Sequence, residues 1–236
     1  MALPKVTAPT YELELPSNGK KIRYRPFLVK EEKVLLIAMD SKDQKQISNA
    51  VIDVLNACIV TRGVKLQNLA SFDLEYLFLR VRAASVGEVI TMNVTCQDDG
   101  ETQVSYDINI NDIEVTKPEG HESKIMLSDK VGIVMKYPGI DTFIENSFDT
   151  GAEVDAIKII AASIDQIFDG EEITEASDCK PAELTSFLDS LTQVQFGEIT
   201  KFFETMPKLS HTFKVTNPNT GVESEYTIEG LQSFFA

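Results

Sequence analysis

The chain has 236 residues, 43% of them hydrophobic and 25% charged, which supports a sizeable core and argues against disorder. Its formal charge of −15 is uneven: residues 1–118 hold 14 Lys+Arg against 16 Asp+Glu, and residues 119–236 hold 8 against 21. The acidic second half would repel phosphates, so nucleic acid is disfavoured as a partner and a basic protein surface is favoured. Cysteines at 58, 96 and 179 have neither the even count nor the spacing of a disulfide framework. No apolar run approaches the roughly 18 residues of a membrane span, and the first ten residues carry no signal-peptide core. A soluble protein of the cytoplasm, with no membrane contact, is expected.

Residues 1–10, with Pro4 and Pro9, read as an arm. Tyr11 to Leu15 alternates as a half-buried strand, Pro16-Ser17-Asn18-Gly19 is a turn, and Ile22, Tyr24 and Pro26 continue the alternation, so 11–27 is a β-hairpin. A short helix follows over 29–40. A second, over about 44–61, carries Ile47, Val51, Val54, Leu55 and Cys58 on one apolar stripe. A dense apolar helix over 71–85 stops near Gly87. The period then changes to two: Val89–Thr95, a turn at Asp98-Asp99-Gly100, and a return strand through Val104, Tyr106, Ile108 and Ile110.

Lys117-Pro118-Glu119-Gly120 is the best hinge, dividing an N-terminal lobe (1–117) from an acidic C-terminal lobe (118–236) within one compact unit. Lys124 to Tyr137 reads as strand–turn–strand. Val154, Ile157, Ile160, Ala161, Ile164 and Ile167 predict a helix over 152–168, ended by Asp169-Gly170. Residues 171–180 read as an acidic loop. Pro181 opens a helix over 181–190, another covers 193–204, and a last hairpin runs from His211 to Ile228 around Asn217–Gly221. Leu231, Phe234 and Phe235 form an apolar tail. The fold class is α+β, helical core segments alternating with β-hairpins. The likeness between 91–106 and 211–226 admits either shared hairpin grammar or a degenerate internal duplication.

Chemistry is hard to find. There are no paired Cys-x-x-Cys knuckles, and a zinc site from Cys96, His121 and His211 would need three distant loops to converge. Neither histidine has a recognisable nucleophile beside it, and no Gly-rich phosphate loop occurs. No cofactor, metal, catalytic residue or small-molecule substrate is expected. The positive feature is the basic cluster Lys20, Lys21, Arg23 and Arg25 on the first hairpin. It reads either as a solvated strand face or as an electrostatic contact with an acidic partner, including a second copy's C-terminal half. The hairpins also offer edges for β-augmentation. Pro26, Phe27, Phe72, Tyr76, Arg80, Arg82 and Gly87 read as fold-specifying, with Phe27 buried. Arg80 or Arg82 is expected to pair with a carboxylate such as Glu75 or Glu88.

Three segments carry a resemblance. They are Leu15–Ala38 around Arg25-Pro26-Phe27, Phe72–Glu88 through Arg80 and Arg82, and the closing Thr227–Phe235. Together they resemble the baseplate hub subunit of T4-like contractile-tailed phages and its paralogue, the hub assembly catalyst. The resemblance implies a non-enzymatic tail protein that helps build the central hub through contacts with other hub or tail proteins, or with itself. It would reside in the host cytoplasm during assembly and, if retained, in the virion baseplate. The alternative is a tail assembly chaperone that binds the tape-measure protein and leaves.

Overall fold

A computed structural model describes residues 6–139 and 156–230. The fold is mixed α+β, and the chain divides into two compact units. The first holds residues 1–66, 72–116 and 208–236; the second holds 67–71 and 117–207. Division at residue 117 had assigned the terminal hairpin to the second half. That assignment is corrected: strand Lys208–Thr216 pairs antiparallel with Glu114–Thr116, and this ladder brings the C-terminal hairpin into the first unit.

The first unit begins with the hairpin β1 (Tyr11–Glu14) and β2 (Lys21–Tyr24), whose register sets Leu13 opposite Ile22. Helices α1 (Val29–Ser41), α2 (Gln44–Cys58) and α3 (Ser71–Val86) follow. Asp43 caps α2 by accepting from the Gln46 N–H at 3.1 Å. The expected stripe of α2 is buried at Val51, Val54, Leu55 and Cys58. Gly87, at φ +113°, ends α3 in a conformation that side-chain-bearing residues rarely adopt.

Next come β3 (Val89–Thr95), β4 (Gln103–Asn109) and β5 (Glu114–Thr116). At the C-terminal end, β10 (Lys208–Thr216) and β11 (Glu223–Glu229) complete the three-stranded sheet β11-β10-β5. The two look-alike hairpins pack on each other. Ile90, Val94, Ile108, Phe213 and Val215 share one core with Leu79 of α3, and Tyr106 stacks on Phe213 at 4.4 Å. Their tips interlock. Buried Asn217 donates from Nδ2 to Asp98 and Asp99, and Tyr226 links the Thr95 carbonyl to the Gln97 N–H.

The second unit carries the sheet β6-β7-β8-β9: Lys124–Met126, Val131–Met135, Ile164–Asp169 and Glu172–Glu175. Its helices are α4 (Ala156–Ala162), α5 (Pro181–Asp189) and α6 (Gln193–Thr205). Ile133, Ile160, Ile164, Leu184, Ile199 and Phe202 lie in its core.

Two sequence expectations change here. Of the helix predicted over 152–168, Ala156–Ala162 is helical, residues 152–155 lying outside the described part. It stops at Ser163, whose hydroxyl donates to the Ile159 carbonyl at 2.8 Å. Ile164 and Ile167 then run in β8, between β7 and β9. Isoleucines three apart fit a helix face, but their β-branched side chains also suit a strand with partners on both sides. The expected acidic loop supplies β9, a fully exposed edge strand, and then a 3-10 turn at Ala176–Asp178. Its even polarity conceals the strand because no face of it is buried. Of the N-terminal arm only 6–10 is described, and Leu231, Phe234 and Phe235 lie outside the described residues.

Candidate partner-contact site on the first hairpin

The first hairpin is fastened to its unit at four points. Its turn is held by Asp73 in the first turn of α3, which accepts from the Ser17 N–H at 3.0 Å and from the Ser17 hydroxyl. Asp73 is fully buried. Burial pushes its carboxyl up, against the downward pull of the two Ser17 bonds. Along β2, the Arg23 carbonyl accepts from the Val60 N–H at 2.8 Å, and the Arg25 N–H donates to the Cys58 carbonyl at 2.9 Å. Beyond the strand, the Phe27 N–H donates to Ser85 Oγ at 2.9 Å.

The fourth fastening is an ion pair. Arg25 Nη2 lies 3.1 Å from Glu31 Oε1, and its Nη1 donates to the Pro26 carbonyl at 2.8 Å. Glu31 Oε2 accepts from the Leu28 N–H at 2.6 Å, closing the N-terminus of α1. Burial works to raise the Glu31 carboxyl, but the Arg25 guanidinium and the Leu28 N–H outweigh it and hold it below the usual range. Beneath this pair, burial pushes the Cys58 thiol up to about 11.

The outward face of the hairpin is therefore mixed in charge. Lys21 bridges Glu12 at 3.3 Å and Glu14 at 3.4 Å, and Arg23 stands opposite Glu12 in the register. Lys20, Lys21 and Arg23 are exposed. Arg25 is not part of that face, because the ladder to Cys58 turns it toward Glu31. The sequence missed Glu12 and Glu14 as partners of the basic cluster because strand register, not proximity along the chain, brings them together.

Behind the hairpin lies a cleft of about 500 Å³ lined by Tyr11, Leu13, Tyr24, Tyr76, Arg80 and Glu88, among others. An adjoining cleft of about 450 Å³ shares Glu14, Tyr76 and Arg80 with it. The Arg80 guanidinium lies 4.8 Å from the Tyr76 ring centroid, and its Nη1 donates to Asn111 Oδ1 at 2.6 Å. A neutral amide and an aromatic face thus hold Arg80. Arg82 donates to the Gly87 carbonyl at 3.3 Å, at the glycine that ends α3. Phe72 is buried, while Pro26 and Phe27 are only half-buried. The expectation of a buried Phe27 is corrected. Its backbone is fixed by Ser85, so its ring need not enter the core.

Asp73 and Glu31 were not among the residues singled out from the sequence. Glu31 stands three residues after Leu28, which has no capping side chain, so no capping-box pattern announced it, and Asp73 had no local signal because its partner is 56 residues away. Elsewhere, His121 Nδ1 lies 3.0 Å from Thr205 Oγ1 and its ring stacks on Tyr137 and against Phe202. His211 stacks on Phe213. Among the described residues no group of three or more His, Cys, Asp or Glu side chains could hold a metal ion. No described helix is long and apolar enough to cross a membrane.

Charged groups thus fasten the hairpin, and a Tyr- and Arg-lined cleft lies behind it. Residues 8–236 match the family described as T4 bacteriophage base plate protein, and the chain belongs to that family of phage baseplate proteins. No curated protein and no solved structure gives a significant match.

Proposed function

We propose that the protein acts in building the central hub of a contractile-tail baseplate, without catalysis, through contacts with neighbouring tail proteins. The observation that carries this reading is the match to the baseplate family over residues 8–236, together with the segments Leu15–Ala38 and Phe72–Glu88 that resemble the hub proteins. Within the chain, the contact surface is the outward face of the first hairpin, with Lys20, Lys21 and Arg23, and the cleft around Tyr76 and Arg80 behind it. Tyrosine and arginine give large contact area with few rotors and directional hydrogen bonds. The exposed cations beside them set orientation and rate of encounter more than affinity.

The test is mass spectrometry of purified mature particles beside assembly intermediates from the same lysate. Presence in both at fixed stoichiometry identifies a structural hub subunit. Presence in intermediates alone identifies an assembly factor, and recovery with the tape-measure protein in particular would favour the chaperone reading. Absence from both sinks the proposal. A second test concerns the surface. Lys20→Glu with Arg23→Glu should reduce co-purification with tail proteins and leave thermal unfolding unchanged.

A further inference from the structure

The helix α1 buries only Glu31 and Ala38. It packs on α2 along one side. Its opposite side leaves Val29 67%, Leu36 59% and Ile37 71% exposed. Leu36 and Ile37 are neighbours and Val29 lies on the same face two turns away, and apolar side chains exposed together on one face mark a contact surface. The face is also firmly presented: Glu31 closes its N-terminus, and at its C-terminus Lys42, in the left-handed conformation at φ +54°, donates its N–H to the Met39 carbonyl.

The charges on this face decide what covers it. At 100° per residue, Lys33 and Asp40 fall on the midline of the stripe formed by Val29, Leu36 and Ile37. They stand two turns apart, about 10.5 Å along the axis, too far to pair with each other. Both are exposed, and among the described residues neither forms a salt bridge. An antiparallel copy of the same helix, related by a two-fold axis between positions 36 and 37, sets Lys33 against Asp40 of the partner subunit. The same operation repeats the pair and packs Leu36 on Ile37 of the partner subunit. A parallel copy would instead oppose lysine to lysine and aspartate to aspartate.

We infer that this chain self-associates through α1, as an antiparallel two-fold pair centred on Leu36 and Ile37 with Lys33 facing Asp40 of the second copy. Such an interface is self-complementary, as a two-fold contact must be. One pair of short helices buries less than the roughly 1,000 Å² of a stable interface, so the dimer is weak and forms in the micromolar range. The inference concerns the free chain and does not rest on the hub role. A monomer would leave that role untouched, and absence from particles would leave the dimer untouched.

The experiment is sedimentation equilibrium on the full chain from about 1 to about 200 µM at near-physiological salt, where repulsion between two acidic chains is screened. The wild type is expected to shift from monomer to dimer across this range. Ile37→Glu, at an exposed position, should raise Kd at least tenfold with an unchanged melting temperature. Lys33→Asp and Asp40→Lys should each raise Kd roughly fivefold to tenfold, because each creates two repulsive pairs. An equimolar mixture of these two variants should associate again, since each supplies the charge the other lacks. A wild type that stays monomeric, as it would if another tail protein's helix were the sole occupant, overturns the inference. So does a dimer insensitive to Ile37→Glu, or a mixture of the charge variants that fails to associate.

Discussion

Removing Arg25 would leave the Glu31 carboxylate buried with only the Leu28 N–H and the exposed Lys30 to offset its charge. Arg25→Ala should therefore cost about 2–3 kcal/mol in urea unfolding, whereas Lys20→Ala and Arg23→Ala should stay within about 0.5 kcal/mol. Four neighbouring cations thus separate into one structural residue and three surface residues, a distinction made by what lies opposite each. Asp73→Ala strands the Ser17 N–H and should cost about 1–3 kcal/mol, with Asp73→Asn milder because its amide oxygen still accepts. The cysteines separate in the same way. Cys58 and Cys96 are buried, with their thiols raised chiefly by burial, while Cys179 is partly exposed. Alkylation of the native protein followed by mass spectrometry should modify Cys179 alone, with the other two reacting only after unfolding.

Among the elements, β7 and β8 meet at a position where only glycine fits. A Cβ on Gly132 would run into the Phe168 ring and lie 2.7 Å from the Ile125 carbonyl. Phe168 is the register partner of Gly132, so its ring fills the space a side chain would need. Gly132→Ala should cost about 2–3 kcal/mol, read as a lower melting temperature. In the first unit the interlocked tips of the β3–β4 and β10–β11 hairpins have their own pH dependence. Hydrogen bonds from Asn217 and Thr220 lower the Asp98 carboxyl. Thr102 first, then Asn217 and Glu101, hold Asp99 well below the aspartate range. Because the folded values lie below the unfolded ones, this stabilisation is complete above the ordinary aspartate value near 4 and is lost as pH falls through the lower folded values. Asn217→Ala should raise the midpoint of acid unfolding followed by circular dichroism.

For the whole molecule, a second and milder acid response belongs to the other unit. Burial first, then Lys117, lowers the His121 imidazole, and its buried Nε2 has no hydrogen-bond partner among the described residues. A histidine kept neutral in the folded state stabilises fully above the ordinary value near 6.5, and that contribution is lost as pH falls below it. The melting temperature of the wild type should drop between about pH 6.5 and 5, and His121→Phe should flatten that slope. The two acid responses are thus separated in pH and in place, one at the hairpin tips of the first unit and one in the core of the second. For the contact role proposed for the first hairpin, rigidity matters more than catalytic geometry. Its four fastenings to α1, α2, α3 and the segment after α2 supply that rigidity.

What the sequence by itself determined follows from local chemistry. The hairpins at 11–24, 89–109 and 208–229 announce themselves by alternation and by turns rich in Asn, Asp and Gly. The helices α1, α2, α3, α5 and α6 do so by periodicity, caps and Pro181. Motif resemblance over Leu15–Ala38 and Phe72–Glu88 sufficed to point to the family. Tertiary structure decided the rest, because the deciding partners are distant or ambiguous. Ile164 and Ile167 fit a helix or a strand, and only β7 and β9 on either side select the strand. The C-terminal hairpin joins the first unit through a ladder to residues 114–116. Lys21 meets Glu12 and Glu14 through strand register, and Asp73 meets Ser17 across 56 residues. The outward face of α1 became visible only when α2 was seen to cover the other side. A periodic sequence states that a helix has an apolar face, but burial by a particular neighbour decides which apolar residues are left for a partner.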